Sequence, residues 1–283
     1  MHYCTGAFVF GDLFMNTYFS GIFYILSPLI LYSVVSTAVG AGMEALWTYF
    51  LQARVTGQAG TAGIYAATTV WASLSLVIPA GVGLLCLRPQ TARELKRHPG
   101  FDMEKGPLVR TRLMPVLPVT AICLSLGINA LASWLHIEQD ASSAMTGALP
   151  GAAGILLQAA VYAMFMPFVE EVLFRGILFS RLEREYGLRA GILLSAALFG
   201  IYHASLVQGI YAFIMGIVFA SAYAGTGRFP VPVTLHGLCN LAVLFLQWTD
   251  NYSRICSPAW SAAFFAVAAG GFLTLYKDVK KKA

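Results

Sequence analysis

Glu170 and Glu171 stand side by side in the apolar stretch Met166-Pro167-Phe168-Val169-Glu170-Glu171-Val172-Leu173-Phe174-Arg175-Gly176-Ile177-Leu178-Phe179. A charged side chain in such surroundings is costly and is rarely kept without partners or work to do. Residues four apart on a helix share a face, whereas adjacent residues diverge by about 100°. Glu171 and Arg175 can therefore pair, leaving Glu170 to face a cavity. The same spacing of four recurs in two later apolar segments, as Phe199…His203 and His236…Asn240.

These groups suit peptide-bond hydrolysis. Apolar surroundings tune a carboxylate toward taking a proton from water, and a nearby histidine can share or orient that proton. Donors from His236 and Asn240 can stabilise the oxyanion of a tetrahedral intermediate. No serine or cysteine nucleophile is needed, and Cys239, turned about 100° from Asn240, reads as packing. Phe199 reads as a wall beside the imidazole of His203. Glu170, His203 and His236 could instead bind zinc with water in a fourth position, although HExxH is missing and a metal is the second choice. A blander alternative makes the two acids and Arg175 a buried knot that only joins helices.

The elements that must carry these groups are membrane helices. The chain of 283 residues is 58% hydrophobic and 11% charged, with a mean hydropathy of +0.71, which implies one integral membrane domain over 1–283 and leaves no room for a soluble core. The motif-bearing core falls at about 150–250. Eight apolar windows predict an all-α polytopic bundle with helices near Tyr18–Gly42, Ala62–Leu87, Leu113–His136, Ala153–Leu182, Ala190–Leu206, Ile210–Thr226, Val231–Thr249 and Ala259–Tyr276. The fourth exceeds the ~30 Å hydrocarbon core and must tilt or project beyond it, with Tyr186-Gly187 as its stop. The first helix reads as a retained span rather than a cleaved signal peptide.

The net charge of +5 reports topology rather than a nucleic-acid partner, because the basic residues fall between apolar runs. Arg88, Arg93, Lys96, Arg97, Lys105, Arg110 and Arg112 share one face with Arg181, Arg184, Arg189, Arg228 and the tail Lys277, Lys280, Lys281 and Lys282. Only Arg54 and Arg254 fall opposite, and Arg175 lies inside the membrane. An even span count then places both termini in the cytoplasm. The Arg88–Arg112 connector, rich in Pro and Gly, reads as a solvated positive loop at the lipid headgroups with a short surface helix at Thr91–Arg97. Counting at 1.5 Å per residue, Glu170 lies ~16 Å below Arg181, His203 ~21 Å below Arg189 and His236 ~12 Å below Arg228, so the three helices can present them at overlapping levels.

Glu170-Glu171-x-x-x-Arg175, Phe199-x-x-x-His203 and His236-x-x-x-Asn240, in this order on successive membrane segments, resemble the CPBP family of CAAX proteases and bacteriocin-processing enzymes. The likeness covers roughly Pro167 to Leu244, and Gly216 and the Thr226–Pro232 turn also look family-like. It implies a glutamate-type intramembrane endopeptidase similar to the type II CAAX prenyl endopeptidases. By that resemblance Glu170 and His203 activate water, His236 and Asn240 form the oxyanion hole, and Glu171 and Arg175 support the site. The expected substrate is a membrane-proximal or lipidated peptide, and no cofactor is required. The expected location is a multi-pass position in a membrane, the plasma membrane if the source is prokaryotic, with the site open to the cytoplasm. A non-catalytic binding or bacteriocin-immunity protein using the same cavity is a second reading. A proton-coupled transporter is a third, disfavoured by the lack of an internal repeat.

Overall fold

The computed structural model describes residues 5–52, 61–97, 114–137, 152–203, 205–249 and 251–280, and all secondary structure among them is helical. Helix α1 is Thr5–Leu46, continued by a π turn at Trp47–Leu51; α2 is Thr61–Cys86, α3 Arg88–Arg97 and α4 Val116–Trp134. Helix α5 runs without a break over Ala153–Tyr186. It is followed by α6 (Leu188–Tyr202), α7 (Leu206–Thr226), α8 (Pro230–Trp248), the single turn α9 (Tyr252–Ile255) and α10 (Pro258–Lys280). Arg54, Lys105, Arg110, Arg112, Lys281 and Lys282 lie outside the described residues.

Seven of these helices are long and apolar enough to cross a membrane. The expected eighth, at 190–206, is the shorter α6 of 15 residues. At 1.5 Å per residue that is ~22 Å, less than a hydrocarbon core. Its C-terminal turn stops at His203 because the chain reverses there into α7, and the two helices pack along one another. The chain is therefore an all-α integral membrane protein.

Helix α5 is the hub. It touches α1, α2, α3, α6, α7 and α8, while α4 pairs with α10 and α1 with α2. Within lipid, helices gain little from burying apolar surface against each other, so shape complementarity must hold them. On α5 that role falls to Leu173, Phe174, Ile177 and Leu178, which are buried against Tyr32 of α1, Phe199 of α6 and Ala212 of α7. The helix ends where expected, since Gly187 at φ 82° adopts a backbone that L side chains rarely enter and its N–H closes on the Glu183 carbonyl.

Of the connector after α2, residues 98–113 lie outside the described residues, and the described part departs from a freely solvated segment. Its helix is present, but α3 is docked rather than floating: Glu94 is fully buried. Its carboxylate accepts from Arg181 Nε at 2.8 Å, Arg184 Nη2 at 3.0 Å and the Tyr24 hydroxyl at 3.0 Å. Arg181 also donates to Gln90 Oε1 at 3.1 Å and to the Tyr24 carbonyl, and its guanidinium lies 4.1 Å over the Tyr24 ring. Arg181 is thus an interior clamp instead of the solvated marker that the charge pattern suggested. The reason is local: a buried guanidinium needs a carboxylate, and α3 carries one to it.

Burial pushes the Glu94 carboxyl up, but the bonds from Arg181, Arg184 and Tyr24 prevail and hold it below the ordinary carboxylate range. A depressed folded value contributes stability above the unfolded pKa and loses it as pH falls through the folded one. Glu94→Gln is accordingly expected to cost about 2 kcal/mol near neutral pH and to remove that part of the acid sensitivity. Thermal unfolding in detergent from pH 7 down to pH 3 checks this, and parallel curves for the two proteins would contradict it.

Candidate active site

Pro167 shapes the site through the backbone of α5. The helix is α-helical at Met166–Glu171 but π-wound on both sides, at Ala159–Phe165 and Val172–Phe179. In the first π segment the Met166 N–H donates to Val161 O, five residues back. The Tyr162 carbonyl thereby loses its donor at 166, and its π partner at 167 is a proline with no N–H. That carbonyl is taken instead by Asn240, whose Nδ2 donates to it at 2.8 Å. One of the two amide N–H groups of Asn240 is thus spent on orientation, leaving the other for a ligand.

The same stretch of α5 allows α8 to come close. A Cβ added at Gly237 would sit 2.3 Å from the Ala163 carbonyl oxygen, so only a glycine fits there. Gly237→Ala is expected to push α8 off α5, cost about 1–3 kcal/mol and separate His236 and Asn240 from their partners. A melt of the purified variant that superimposes on wild type would refute this.

His236, beside Gly237, enters between the two acids. Its Nδ1 lies 2.9 Å from Glu171 Oε1 and its Nε2 3.7 Å from Glu170 Oε2. Glu171 Oε1 also accepts from Arg175 Nη1 at 2.9 Å, and both of those side chains are wholly buried. Arg175 continues across to α7, where Nη2 donates to the Gly216 carbonyl at 3.1 Å. Its guanidinium lies over two rings, Phe199 at 4.6 Å and Phe219 at 5.4 Å. Glu170 keeps 13% of its side chain accessible and His236 9%. The pair read from the sequence is present, Glu171 being tied to Arg175, and Glu170 is the less buried of the two acids.

Phe199 and Phe219 set the imidazole plane. Phe219 stacks on His236 at 4.9 Å, and Phe199 meets it edge-on at 5.8 Å. Phe199 also meets His203 edge-on at 4.7 Å, so one ring separates the two histidines, more than the simple wall anticipated. His203 caps α6, its Nδ1 bonded to the Phe199 carbonyl at 2.8 Å. Because a carbonyl only accepts, Nδ1 donates in this bond, and Nε2 is the nitrogen left for other partners. Among the described residues no hydrogen bond joins His203 to Glu170, and His236 is the imidazole that touches the carboxylates. Nor do any three His, Cys, Asp or Glu side chains among the described residues converge as a metal cluster, the set Glu170, His203 and His236 included.

Helices α5 and α8 therefore bring Glu170, Glu171 and His236 together, with Phe199 of α6 beside the imidazole. Glu171 Oε2 and Arg175 Nε are buried without a hydrogen-bond partner among the described residues, so the knot is incompletely satisfied. Cys239 is packed against Met215, Phe219 and Leu235, as expected for a side chain that takes no part. Sequence reasoning missed the contacts of Phe219 and the Tyr162 carbonyl. Phe219 has no signal apart from helical spacing, whereas Pro167, five residues after Tyr162, is a readable cue.

A bundle of apolar helices that buries paired carboxylates against an imidazole, with an oriented amide one turn away, defines a polytopic membrane protein with a cluster of ionisable groups inside it. Residues 152–242 match the family described as type II CAAX prenyl endopeptidase Rce1-like. A Bacillus subtilis (strain 168) protein named "Putative membrane peptidase YdiL" is 37% identical over 81 residues. That alignment covers 29% of this chain and 33% of the relative, so the chain matches about a third of the length of the curated protein. No solved structure matches the chain.

Proposed function

We propose that this protein is an intramembrane endopeptidase that cleaves membrane-proximal or lipidated peptides with water activated by a glutamate. The observation that carries the reading is the insertion of His236 between Glu170 and Glu171, with Asn240 held one turn further along α8 by the Tyr162 carbonyl. Water oxygen attacks the scissile carbonyl carbon while its proton passes to the Glu170 carboxylate, with Nε2 of His203 as a second acceptor. The developing oxyanion is met by the spare N–H of Asn240 and by His236. The proton then moves to the amide nitrogen, the C–N bond breaks, and the amine leaves. Glu171 and Arg175 hold His236 in place and keep the neighbouring charge balanced.

The same proposal places the site toward the cytoplasmic face of a plasma membrane, with both termini cytoplasmic. Helix α7 spans, so the stretch through α6 must carry the chain to its start. Arg184, Arg189 and Arg228 then share a side, in keeping with the bias of basic residues toward the cytoplasm. The test is cleavage of a library of membrane-proximal peptides by purified, metal-analysed protein in lipid nanodiscs, with products read by mass spectrometry. Specific products that persist in chelator are expected. Folded protein that yields none across the library would overturn the assignment, and activity lost to chelator and restored by zinc would replace the mechanism.

A further inference from the structure

A second site lies at the start of α8, apart from the carboxylates. A cavity of about 360 Å³ opens between the N-terminal turns of α4 and α8, with walls that include Leu117 and Pro118 on one side and Val231, Thr234 and Leu238 on the other. Val231, Thr234 and Leu238 recur at three and four residues, so they form a single stripe along α8. Arg228 also lines the cavity. It sits in the turn that Gly227, at φ 63°, makes between two membrane spans, which is headgroup depth. The main-chain N–H of Arg228 is fixed by Thr226 Oγ1 at 3.3 Å.

Among the described residues the guanidinium has no hydrogen bond or ion pair and no acidic side chain lines the cavity, and its Nε is buried. A cation stranded beside apolar walls is costly unless an anion reaches it, and the planar fork of arginine matches a phosphate. We infer that this cavity holds one anionic phospholipid, its phosphodiester on Arg228 and part of an acyl chain between α4 and α8. A membrane lipid supplies both halves of the chemistry, negative charge at headgroup level and hydrocarbon directly beneath it. Leu117, on the cavity wall, packs in one cluster with Phe219, the ring on which His236 stacks. Lipid occupancy therefore bears on the platform beneath the imidazole.

The experiment is native mass spectrometry of the full chain released from nanodiscs, titrated with phosphatidylglycerol or phosphatidylcholine. Wild type is expected to retain one phosphatidylglycerol roughly fivefold more tightly than phosphatidylcholine, the increment of one basic residue at a lipid surface. Arg228→Gln is expected to erase that preference. Thr234→Trp, at an exposed wall position, is expected to weaken retention of both lipids by filling the cavity while keeping the charge. Should Arg228→Gln keep the preference, or Thr234→Trp retain lipid as wild type does, the inference fails. It fails equally if inorganic phosphate displaces the lipid at matched concentration, or if a peptide with a free C-terminal carboxylate does so, since the site would then serve an anion or the substrate.

Discussion

Glu170→Gln is expected to leave the bundle folded and to reduce peptide cleavage by roughly 100- to 10,000-fold, the range that a positioned general base contributes. The substitution keeps the shape of the side chain and removes its capacity to take a proton. Its structural cost is small because, among the described residues, the ion-pair contact of Glu170 is His236 Nε2 at 3.7 Å, too long for a strong hydrogen bond. Glu171 is different, since its Oε1 accepts from both Arg175 and His236 at 2.9 Å. Glu171→Gln should therefore lower stability as well as rate, whereas Glu170→Gln lowers rate alone. Paired measurements of turnover and melting temperature in detergent separate the two. Wild-type turnover by Glu170→Gln would remove it from the role of base, and a protein whose biological activity survives that substitution would be a binding protein using the same cavity.

The second large effect concerns the knot around Arg175. Arg175→Met is expected to destabilise the bundle by about 3–5 kcal/mol, because removing one partner leaves Glu171 charged and uncompensated in a wholly buried position. The Gly216 carbonyl on α7 and the rings of Phe199 and Phe219 also lose their cation. Arg175→Met combined with Glu171→Leu removes both charges, and buried pairs replaced by packed apolar groups are often neutral or better. The double variant is thus expected to recover most of the melting temperature while remaining inactive, since nothing then orients Nδ1 of His236. An unchanged melt for Arg175→Met would show that the pair contributes little. An active double variant would reduce the knot to a joint between helices.

The chemistry of the site was legible because charge in an apolar run has few explanations. Helical spacing alone pairs Glu171 with Arg175, and the 2.9 Å bond is present. Counting residues from the basic loops anticipated that three helices would present their polar groups at one level; His236 of α8 does meet Glu170 and Glu171 of α5, while His203 of α6 meets Phe199 instead. Composition was enough for an all-α membrane bundle. The window at 190–206 runs past the end of its helix for a physical reason: hydropathy registers apolar residues on either side of the reversal at 203–206, but only chain geometry shows that α6 has already ended. The docking of α3 was not legible because a charge pattern cannot reveal that Glu94 waits there for Arg181.

What the sequence determined by itself is therefore local: helices from apolar runs, the Glu171–Arg175 pair from a spacing of four, and a buried site from charge where charge is expensive. Tertiary structure decided the partners. It placed His236 rather than His203 against the acids, gave the Tyr162 carbonyl to Asn240 because Pro167 offers it no donor, and brought α8 to within a glycine's width of α5. Periodicity fixes which side of a helix a residue occupies. The rotation and approach of one helix against another depend on how all their surfaces fit together, which no single segment encodes.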